Sequence, residues 1–452
     1  MRTEAAGGVL MLLAAVLAIG LANSPLGDRY FDFFATPIEI SVGEFHLHHF
    51  SELTVREWIN DALMALFFFV VGLEIKRELV VGELADRRAA ALPAIAALGG
   101  MIVPALIYVA FNAGGEGARG WGIPMATDIA FAVGVVSMLG RRVPVAAKLF
   151  LLALAIVDDL GAILVIAIFY TSDLAFGWLA VAVLGLLAIA LLRRMQVRAV
   201  AVYVLVGVVV WIAALESGIH ATVAGVALAL LTPIRSFYDP RYFAPRARLL
   251  VDRVDAYLPE EQLQAADHHT LERVQALLHD LRRLTRESMP PLHRLEFALA
   301  PWTSFVIIPL FAFANAGVVI DADALGGALG DPVLLGTGVG LLVGKVIGVT
   351  GFAWLAIKLG LGRLPAKTTF SHMIGVGLLA GIGFTVALFV ASLSFPGGSP
   401  LGDSAKLGIF GASLLAGVAG YAWLRFVSPD AEELDADRDG VLDARQRPPV
   451  ST

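Results

Sequence analysis

Two adjacent aspartates, Asp158 and Asp159, lie in the middle of an apolar stretch that runs from Val143 to Tyr170. The stretch is long enough to cross a bilayer with a hydrocarbon core of roughly 30 Å. Each aspartate at the centre of a membrane helix costs about 2.5 to 3.5 kcal/mol, so the pair must face protein or water. Successive helical residues point in different directions. We therefore expect one carboxylate to face a cation pathway and the other to meet a partner on a neighbouring helix. The alternative, that the pair caps or bends a buried helix, is disfavoured because apolar residues continue on both sides.

Two other apolar stretches contain features that interrupt a helix. Pro124, Thr127 and Asp128 occur together in one of them, and a proline in mid-span predicts a helix that breaks and exposes its half-helix ends. Asp128 would stabilise the positive N-terminal ends there, and Thr127 would supply an oxygen. Gly381 and Gly383 predict a second break, although glycines by themselves would also serve close helix packing. Two interrupted helices in different halves of a chain are typical of an inverted-repeat transporter with its site where they cross.

A lysine inside the membrane needs an anion nearby. Lys345 lies beside a stripe of glycines, Gly336, Gly340, Gly344 and Gly348, which allows close helix contact. Snorkelling to the membrane surface is disfavoured, because apolar residues extend more than two turns on each side. We expect Lys345 to pair with Asp158 or with Asp128.

Several titratable residues near the ends of apolar stretches are candidates for a response to pH, and we expect them to cluster towards the cytoplasmic side. His220 is the one histidine among them that would titrate near neutral pH at a membrane boundary. Each could instead cap a helix or form an interfacial ion pair. The candidates are Asp61, Glu74, Glu78, His220 and Glu296.

Composition places the chain among all-α polytopic membrane proteins. Hydrophobic residues make up 58% of it, charged residues 16%, and the mean hydropathy is +0.79. The absence of cysteine excludes disulfides, thiolate catalysis and cysteine-ligated metals. There is no basic patch that would indicate a nucleic-acid partner. The expected partner is membrane lipid.

About twelve crossings are predicted, the first retained as a span and not cleaved as a signal peptide. An even number places both termini on one side. Lys and Arg concentrate in alternate connections, for example at Arg141, Arg142, Arg193 and Arg194, so the positive-inside rule makes that side cytoplasmic. The predicted spans are 7–22, 58–73, 89–110, 123–139, 143–170, 174–192, 199–215, 219–234, 302–320, 333–359, 370–395 and 407–427.

Two polar segments between the spans have patterns of their own. Residues 37–47 alternate apolar and polar residues around Gly43, which predicts a β-hairpin outside the membrane that serves as a dimer contact or a lid. The enlarged cytoplasmic loop 236–291 has helical apolar spacing over 260–287. This spacing predicts an amphipathic helix on the membrane or on the cytoplasmic mouth, with a solvated linker as the alternative.

Residues 1–428 form the transmembrane domain in this interpretation, and 429–452 form an acidic cytoplasmic tail. The tail is predicted to be disordered. Part of it also resembles a calcium-binding EF-hand loop, but Gln446 stands where that loop has a bidentate glutamate. Weak Ca²⁺ binding is therefore the second interpretation, with candidate ligands Asp435, Asp437, Asp439 and Asp443.

Together these residues resemble the NhaA family of bacterial sodium/proton antiporters, from the first span to the last. The loop 236–291 is long for that family. Six motifs account for the resemblance: WINDALM at 58–64, VGLE at 71–74, ATDIAFA at 126–132, AIVDDLGAI at 155–163, FAFANAG at 311–317 and GIGFT at 381–385.

The resemblance implies twelve helices with inverted repeats and two broken, crossing helices in the bacterial inner membrane. It implies that Asp159 binds Na⁺ or Li⁺ while Asp158 alternates between being bound to Lys345 and released from it. Asp128 and Lys345 would offset the dipoles of the two broken helices. The hairpin would join two subunits, and no cofactor is expected. The implied members of a pH-responsive cytoplasmic mouth are Glu74, Glu78, Glu296 and His220.

The implied activity is electrogenic exchange, in which carboxylates hold either protons or one cation because nearby positive charge expels protons. Two protons per Na⁺ would move one net charge, worth about 2.3 kcal/mol at 100 mV. Two rivals remain. A passive cation channel would show current without proton counterflow. An intramembrane aspartyl protease also needs buried aspartates, but it usually contains a Gly-x-Gly-Asp motif, which is absent here.

Overall fold

The computed structural model describes residues 2–38, 53–171, 174–197, 199–236, 238–257, 268–320, 330–396 and 399–429. Within these ranges the chain is almost entirely helical and contains no β-strand. The all-α prediction is confirmed. The helices are α1 (Arg2–Ala22), α2 (Gly27–Ala35), α3 (Val55–Val81), α4 (Arg87–Asn112), a 3-10 helix (Glu116–Met125), α5 (Ile129–Met138), α6 (Val145–Phe169), α7 (Phe176–Arg194), α8 (Val200–Glu216), α9 (Ala221–Leu231), α10 (Phe243–Tyr257), α11 (His268–Ser288), α12 (Pro291–Asn315), α13 (Pro332–Lys358), α14 (Phe370–Ala380), α15 (Phe384–Ser394) and α16 (Pro400–Phe426).

Many of these helices are suited to a bilayer. In the described part of the chain, seven are long and apolar enough to cross it, namely α3, α4, α6, α7, α12, α13 and α16. Three further pairs meet the same test together but are bent: α1 with α2, the 3-10 helix with α5, and α14 with α15. Helices α8 and α9 are shorter and apolar. The chain is therefore a polytopic membrane protein.

The two predicted helix breaks are present. The 3-10 helix and α5 meet at 43°, and α14 and α15 meet at 45°. Pro124 lies inside the 3-10 helix, and the extended backbone follows it at Ala126 and Asp128. The second break spans Gly381 to Gly383.

Several predicted helix ends are wrong. The ninth span is predicted at 302–320, but α12 begins at Pro291 and ends at Asn315. The predicted second span ends at Leu73, but α3 continues to Val81. In both cases charged residues lowered the hydropathy without ending the helix. Arg77 near the end of α3 and Glu296 near the start of α12 pair with each other, which stabilises their charges within these helical turns.

Helix α13 packs closely on α4 through the predicted glycine stripe. A Cβ atom at Gly348 would lie 3.0 Å from Gly100 N, so a larger residue would separate the two helices. A π-helical turn at Gly340–Gly344 ends directly before Lys345. Such turns interrupt regular bonding and are frequent at functional sites. The packing leaves the Lys345 side chain fully buried.

The segments outside the bilayer are only partly described. Of the hairpin predicted at 37–47, only Pro37 and Ile38 lie in the described residues, and Ile38 N donates to Leu53 O at 2.9 Å. Helix α11, His268–Ser288, confirms a helix within the predicted 260–287, of which 260–267 lie outside the described residues. Helix α10 before it was not predicted. The calcium candidates Asp435, Asp437, Asp439 and Asp443 lie outside the described residues.

Candidate cation site

Lys345 and Asp158 form an ion pair in the middle of the bundle. Lys345 Nζ lies 2.5 Å from Asp158 Oδ2, and neither side chain has any exposed surface. Of the two partners that the sequence left open, Asp158 and Asp128, the lysine therefore contacts Asp158. A fully buried ion pair needs further hydrogen bonds to offset the loss of hydration.

Those bonds come from the first helix break. Lys345 Nζ also donates to Thr127 Oγ1 at 3.0 Å and to the carbonyl of Met125, so all three ammonium hydrogens have acceptors. Thr127 Oγ1 lies 2.6 Å from Asp158 Oδ2 and 2.9 Å from Ala380 O, and its one hydrogen serves one acceptor at a time. The ammonium thus stabilises the carbonyl end of the 3-10 helix as well as the carboxylate.

Asp159 is placed differently from its neighbour. Its side chain is 2% exposed, and its Oδ1 atom has no hydrogen-bond partner among the described residues. Asp158 Oδ1 is buried without a partner in the same way. The charged groups that act on Asp159 are Asp158, Asp128, Glu74 and Lys345. Buried oxygens without partners are costly, so these two carboxylates are the atoms most in need of a cation or a proton.

Asp128 joins the two broken helices. Its carboxylate caps α5 by accepting from Phe131 N at 3.0 Å, and it accepts from Thr385 N at 3.2 Å and Thr385 Oγ1 at 2.7 Å at the start of α15. Its own N–H donates to Ile382 O at 2.6 Å. One carboxylate therefore faces two helix N-termini, which is the position in which a negative charge offsets both dipoles.

Two features at this junction were not predicted as parts of the site. Thr385 supplies both a hydroxyl and an amide to Asp128, and its position in the GIGFT motif was the available signal. The backbones of the two breaks also approach closely, since a Cβ atom at Gly383 would lie 3.1 Å from Ala126 O. Glycine at this position allows the breaks to meet.

A second group of charges lies at the end of α3 and the start of α12. Arg77 pairs with Glu78 at 3.1 Å, with Glu74 at 3.6 Å and with Glu296. His293 Nδ1 is 3.8 Å from Glu296 Oε2. The carboxylates of three candidate residues therefore share one guanidinium, which neither the predicted roles nor the spacing had identified.

The expectation that all the weaker candidates cluster at one end of the bundle is wrong. Asp61 lies thirteen residues before Glu74 on α3, about 20 Å away along the axis at about 1.5 Å per residue. Asp61 Oδ1 is 3.9 Å from His220 Nδ1, which precedes α9. Helices α3 and α9 run side by side in the same direction, since Lys76 Nζ donates to Leu230 O near the end of α9. Asp61 and His220 are therefore at the opposite end from Glu74.

An aromatic cluster packs beside the second break. Phe389 of α15 is fully buried, and its ring contacts Phe68, Phe311 and His220 at centroid distances of 5.6, 6.2 and 6.0 Å. These rings come from α3, α12 and the start of α9. The cluster connects the broken helix α15 to three helices outside the junction.

The arrangement as a whole can exchange small cations for protons. Three carboxylates and one ammonium are held within a junction that exposes helix ends, so full ionisation of all four leaves an excess of negative charge. A small cation or protons would neutralise that excess, and the two would compete for the same oxygens. Among the described residues, no three histidine, aspartate or glutamate side chains converge as a resident metal centre would require.

Known proteins are similar to this chain over almost its whole length. The model of the family described as Na+/H+ antiporter 1 matches residues 1–424. The Na(+)/H(+) antiporter NhaA of Sulfurimonas denitrificans is 46% identical over 432 residues, which cover 95% of each chain. The NhaA antiporter of Escherichia coli O157:H7 is 45% identical over 426 residues, covering 94% of this chain and 96% of that protein. The NhaA antiporter of Oleidesulfovibrio alaskensis is 46% identical over 422 residues, covering 93% and 92%. The chain therefore belongs to the Na+/H+ antiporter 1 family.

Proposed function

We propose that this protein is a secondary active transporter that extrudes Na⁺ in exchange for protons. The single observation that supports the proposal best is the buried junction itself, where Lys345 holds Asp158 and leaves Asp159 Oδ1 without a protein partner. Na⁺ would bind at Asp159 and displace protons. The names of the relatives, all Na(+)/H(+) antiporters, agree with this exchange. No catalytic role is assigned, and neither a channel nor a protease is favoured.

The transport cycle would proceed by alternating access. Na⁺ entering from the cytoplasm binds Asp159 and releases its proton. Asp158 leaves Lys345 when positive charge accumulates beside the ion pair. The second proton comes from Asp158 or from Lys345. Two protons per Na⁺ would make the exchange electrogenic, and Li⁺, a hard cation of the same charge, would be accepted as well. The Arg77 cluster with Glu74, and separately His220 with Asp61, would adjust the rate to pH.

The proposed topology has twelve membrane spans in inverted repeats. The seven long helices, the three bent pairs and the two shorter apolar helices would supply these crossings. Both termini would be cytoplasmic in the bacterial inner membrane, because Lys and Arg concentrate in the connections on that side. The hairpin around Gly43 would join two copies into a homodimer. No cofactor would be required.

Proteoliposomes with an internal pH-sensitive dye would test the exchange. Na⁺ added to wild-type vesicles that hold an imposed pH gradient should move protons in the opposite direction. Asp159→Asn should abolish that response, whereas Asp255→Asn, a change at an exposed aspartate of α10, should leave it intact. An Asp159→Asn protein with an undiminished response would reject the site, and Na⁺ flux without any proton movement would indicate a channel.

A further inference from the structure

A cavity of about 1500 Å³ lies between helix α11 and the membrane helices α3, α8, α9 and α12. The part of its lining that comes from α3, α8 and α9 is mostly apolar and includes Leu66, Phe69, Val204 and Leu228. Its other wall, formed by α11 and the neighbouring helix ends, is cationic. We call the five guanidinium groups there the arginine rim: Arg193, Arg282, Arg283, Arg286 and Arg294.

The described residues that line the cavity carry more positive than negative charge, and outside the lining Asp280 also acts on Arg283. Glu287 is the one carboxylate among the residues that line the cavity. It pairs with Arg283 at 3.0 Å and raises the pKa of that guanidinium. The described hydrogen bonds of Arg193 and Arg294 go to backbone carbonyls, Leu231 O at 3.3 Å and Arg286 O at 3.5 Å. The rim therefore matches an anionic partner that supplies several carboxylates or phosphates.

The chain itself has such a partner in its sequence. Residues 430–443 contain seven carboxylates and one arginine, together with the apolar pair Val441 and Leu442. This segment lies beyond residue 424, where the match to the family ends. Fourteen residues span at most about 46 to 50 Å, compared with a radius of gyration of about 22 Å expected for a compact chain of this length. The segment is therefore long enough to cross a large part of the molecule.

The acidic segment begins just after α16, and the end of α16 contacts the start of the broken helix α14. Trp423 Nε1 donates to Ser371 O at 3.0 Å, and Ser428 Oγ is 3.0 Å from Ser371 Oγ. The end of α16 is therefore fastened to the start of α14, which is half of a broken helix. The arginine rim lies on different helices, α7, α11 and α12. A segment bound at both places would link the broken helix to those elements.

We propose that the acidic segment 430–443 binds the arginine rim of its own chain. Its carboxylates pair with the guanidinium groups, and Val441 and Leu442 face the apolar wall of the cavity. The contact is electrostatic and largely solvent-exposed, so it weakens as salt screens it. It links the end of α16, and through Ser371 the start of α14, to α11 and α12.

Spin-label distances in the full-length protein test the contact directly, since the natural chain has no cysteine to interfere. Labels at Met289→Cys, which lines the cavity, and Ala436→Cys should give one short distance at low ionic strength. The distance should become long at about 1 M salt, where the Debye length is about 3 Å. It should also become long when Arg282→Gln and Arg286→Gln are added. A control pair, Leu26→Cys with Ala436→Cys, should report a longer distance. Leu26 is exposed, and nearby Asn23 Nδ2 donates to Val318 O beyond the last residue of α12, whereas Arg294 lies at the first turn of that helix.

An anionic lipid headgroup could occupy the arginine rim in place of the acidic segment, and varying the lipid composition distinguishes the two. In vesicles of phosphatidylcholine alone, the short distance should be present. If added phosphatidylglycerol lengthens it, the lipid competes for the same rim, which still supports binding of the segment. A long distance in both compositions, unchanged by the arginine substitutions, would overturn the proposal. A short distance that disappears on dilution with unlabelled protein would assign the contact to a second copy and would also overturn it. None of these readouts depends on transport.

Discussion

Lys345 of α13 and Asp158 of α6 are 187 positions apart in the chain and meet with 2.5 Å between Nζ and Oδ2. Both side chains are completely buried. The pair closes one side of the junction between the two broken helices, and Asp159 beside it is left without a protein donor to Oδ1. The difference between two adjacent carboxylates is therefore set by which one the lysine can reach.

Removing one partner of this pair should cost far more stability than removing both. Lys345→Met leaves a buried carboxylate alone, and a loss of about 3 to 5 kcal/mol is expected. Adding Asp158→Leu to the same protein should recover most of that loss, although transport stays abolished. Thermal unfolding of the purified proteins in detergent measures both. Losses that simply add in the double variant would show that the two side chains are not coupled.

Na⁺ should stabilise the wild-type protein through Asp159. A ligand that binds only the folded state at a hundred times its dissociation constant contributes about 2.7 kcal/mol. The thermal midpoint should rise with Na⁺ and stay constant with choline at the same ionic strength. In Asp159→Asn the Na⁺ effect should vanish. A midpoint that still rises with Na⁺ in this variant would place the cation elsewhere.

The hydroxyl of Thr385 should matter for holding Asp128. Thr385→Val keeps the shape and the backbone N–H but removes the 2.7 Å hydrogen bond to the carboxylate. Hydrogen bonds to charged groups contribute about 1.5 to 3 kcal/mol, so stability and transport rate should both fall. Thr385→Ser retains the hydroxyl and should behave like the wild type. A loss in the serine variant with wild-type behaviour in the valine variant would show that the methyl packing, and not the hydroxyl, is what matters at this position.

The Phe389 ring should be one of the most sensitive apolar positions in the bundle. Its truncation in Phe389→Ala leaves a cavity among Phe68, Phe311 and His220, and a loss of about 3 to 5 kcal/mol is expected. Leu414→Ala is the control, because Leu414 is 69% exposed on the outside of the bundle and contributes little to the core. Unfolding in detergent compares the two. Similar losses at both positions would argue against a tightly packed aromatic cluster.

The sequence by itself determined which residues could not lie in lipid and where helices could not continue. Asp158, Asp159 and Lys345 were identified because charge in an apolar stretch is costly. The two breaks followed from Pro124 and the glycines near Gly381, since these residues act on the backbone locally. The family followed from six motifs in order. All of these signals are contained in short segments and need no knowledge of packing.

Only the tertiary structure decided which polar side chains pair with each other and where helices α3 and α12 begin or end. Lys345 pairs with Asp158, and Thr385 donates to Asp128. The first pair is separated by 187 positions, so no local pattern in the sequence identifies it. The tertiary structure placed Asp61 with His220 and far from Glu74, because the parallel course of α3 and α9 decides which helix ends are neighbours. It also extended α3 and α12 through charged turns that hydropathy had excluded. The physical reason is the same in each case: a polar group buried by packing takes whichever partner the neighbouring helices bring within hydrogen-bond distance, and spacing along one helix does not contain that information.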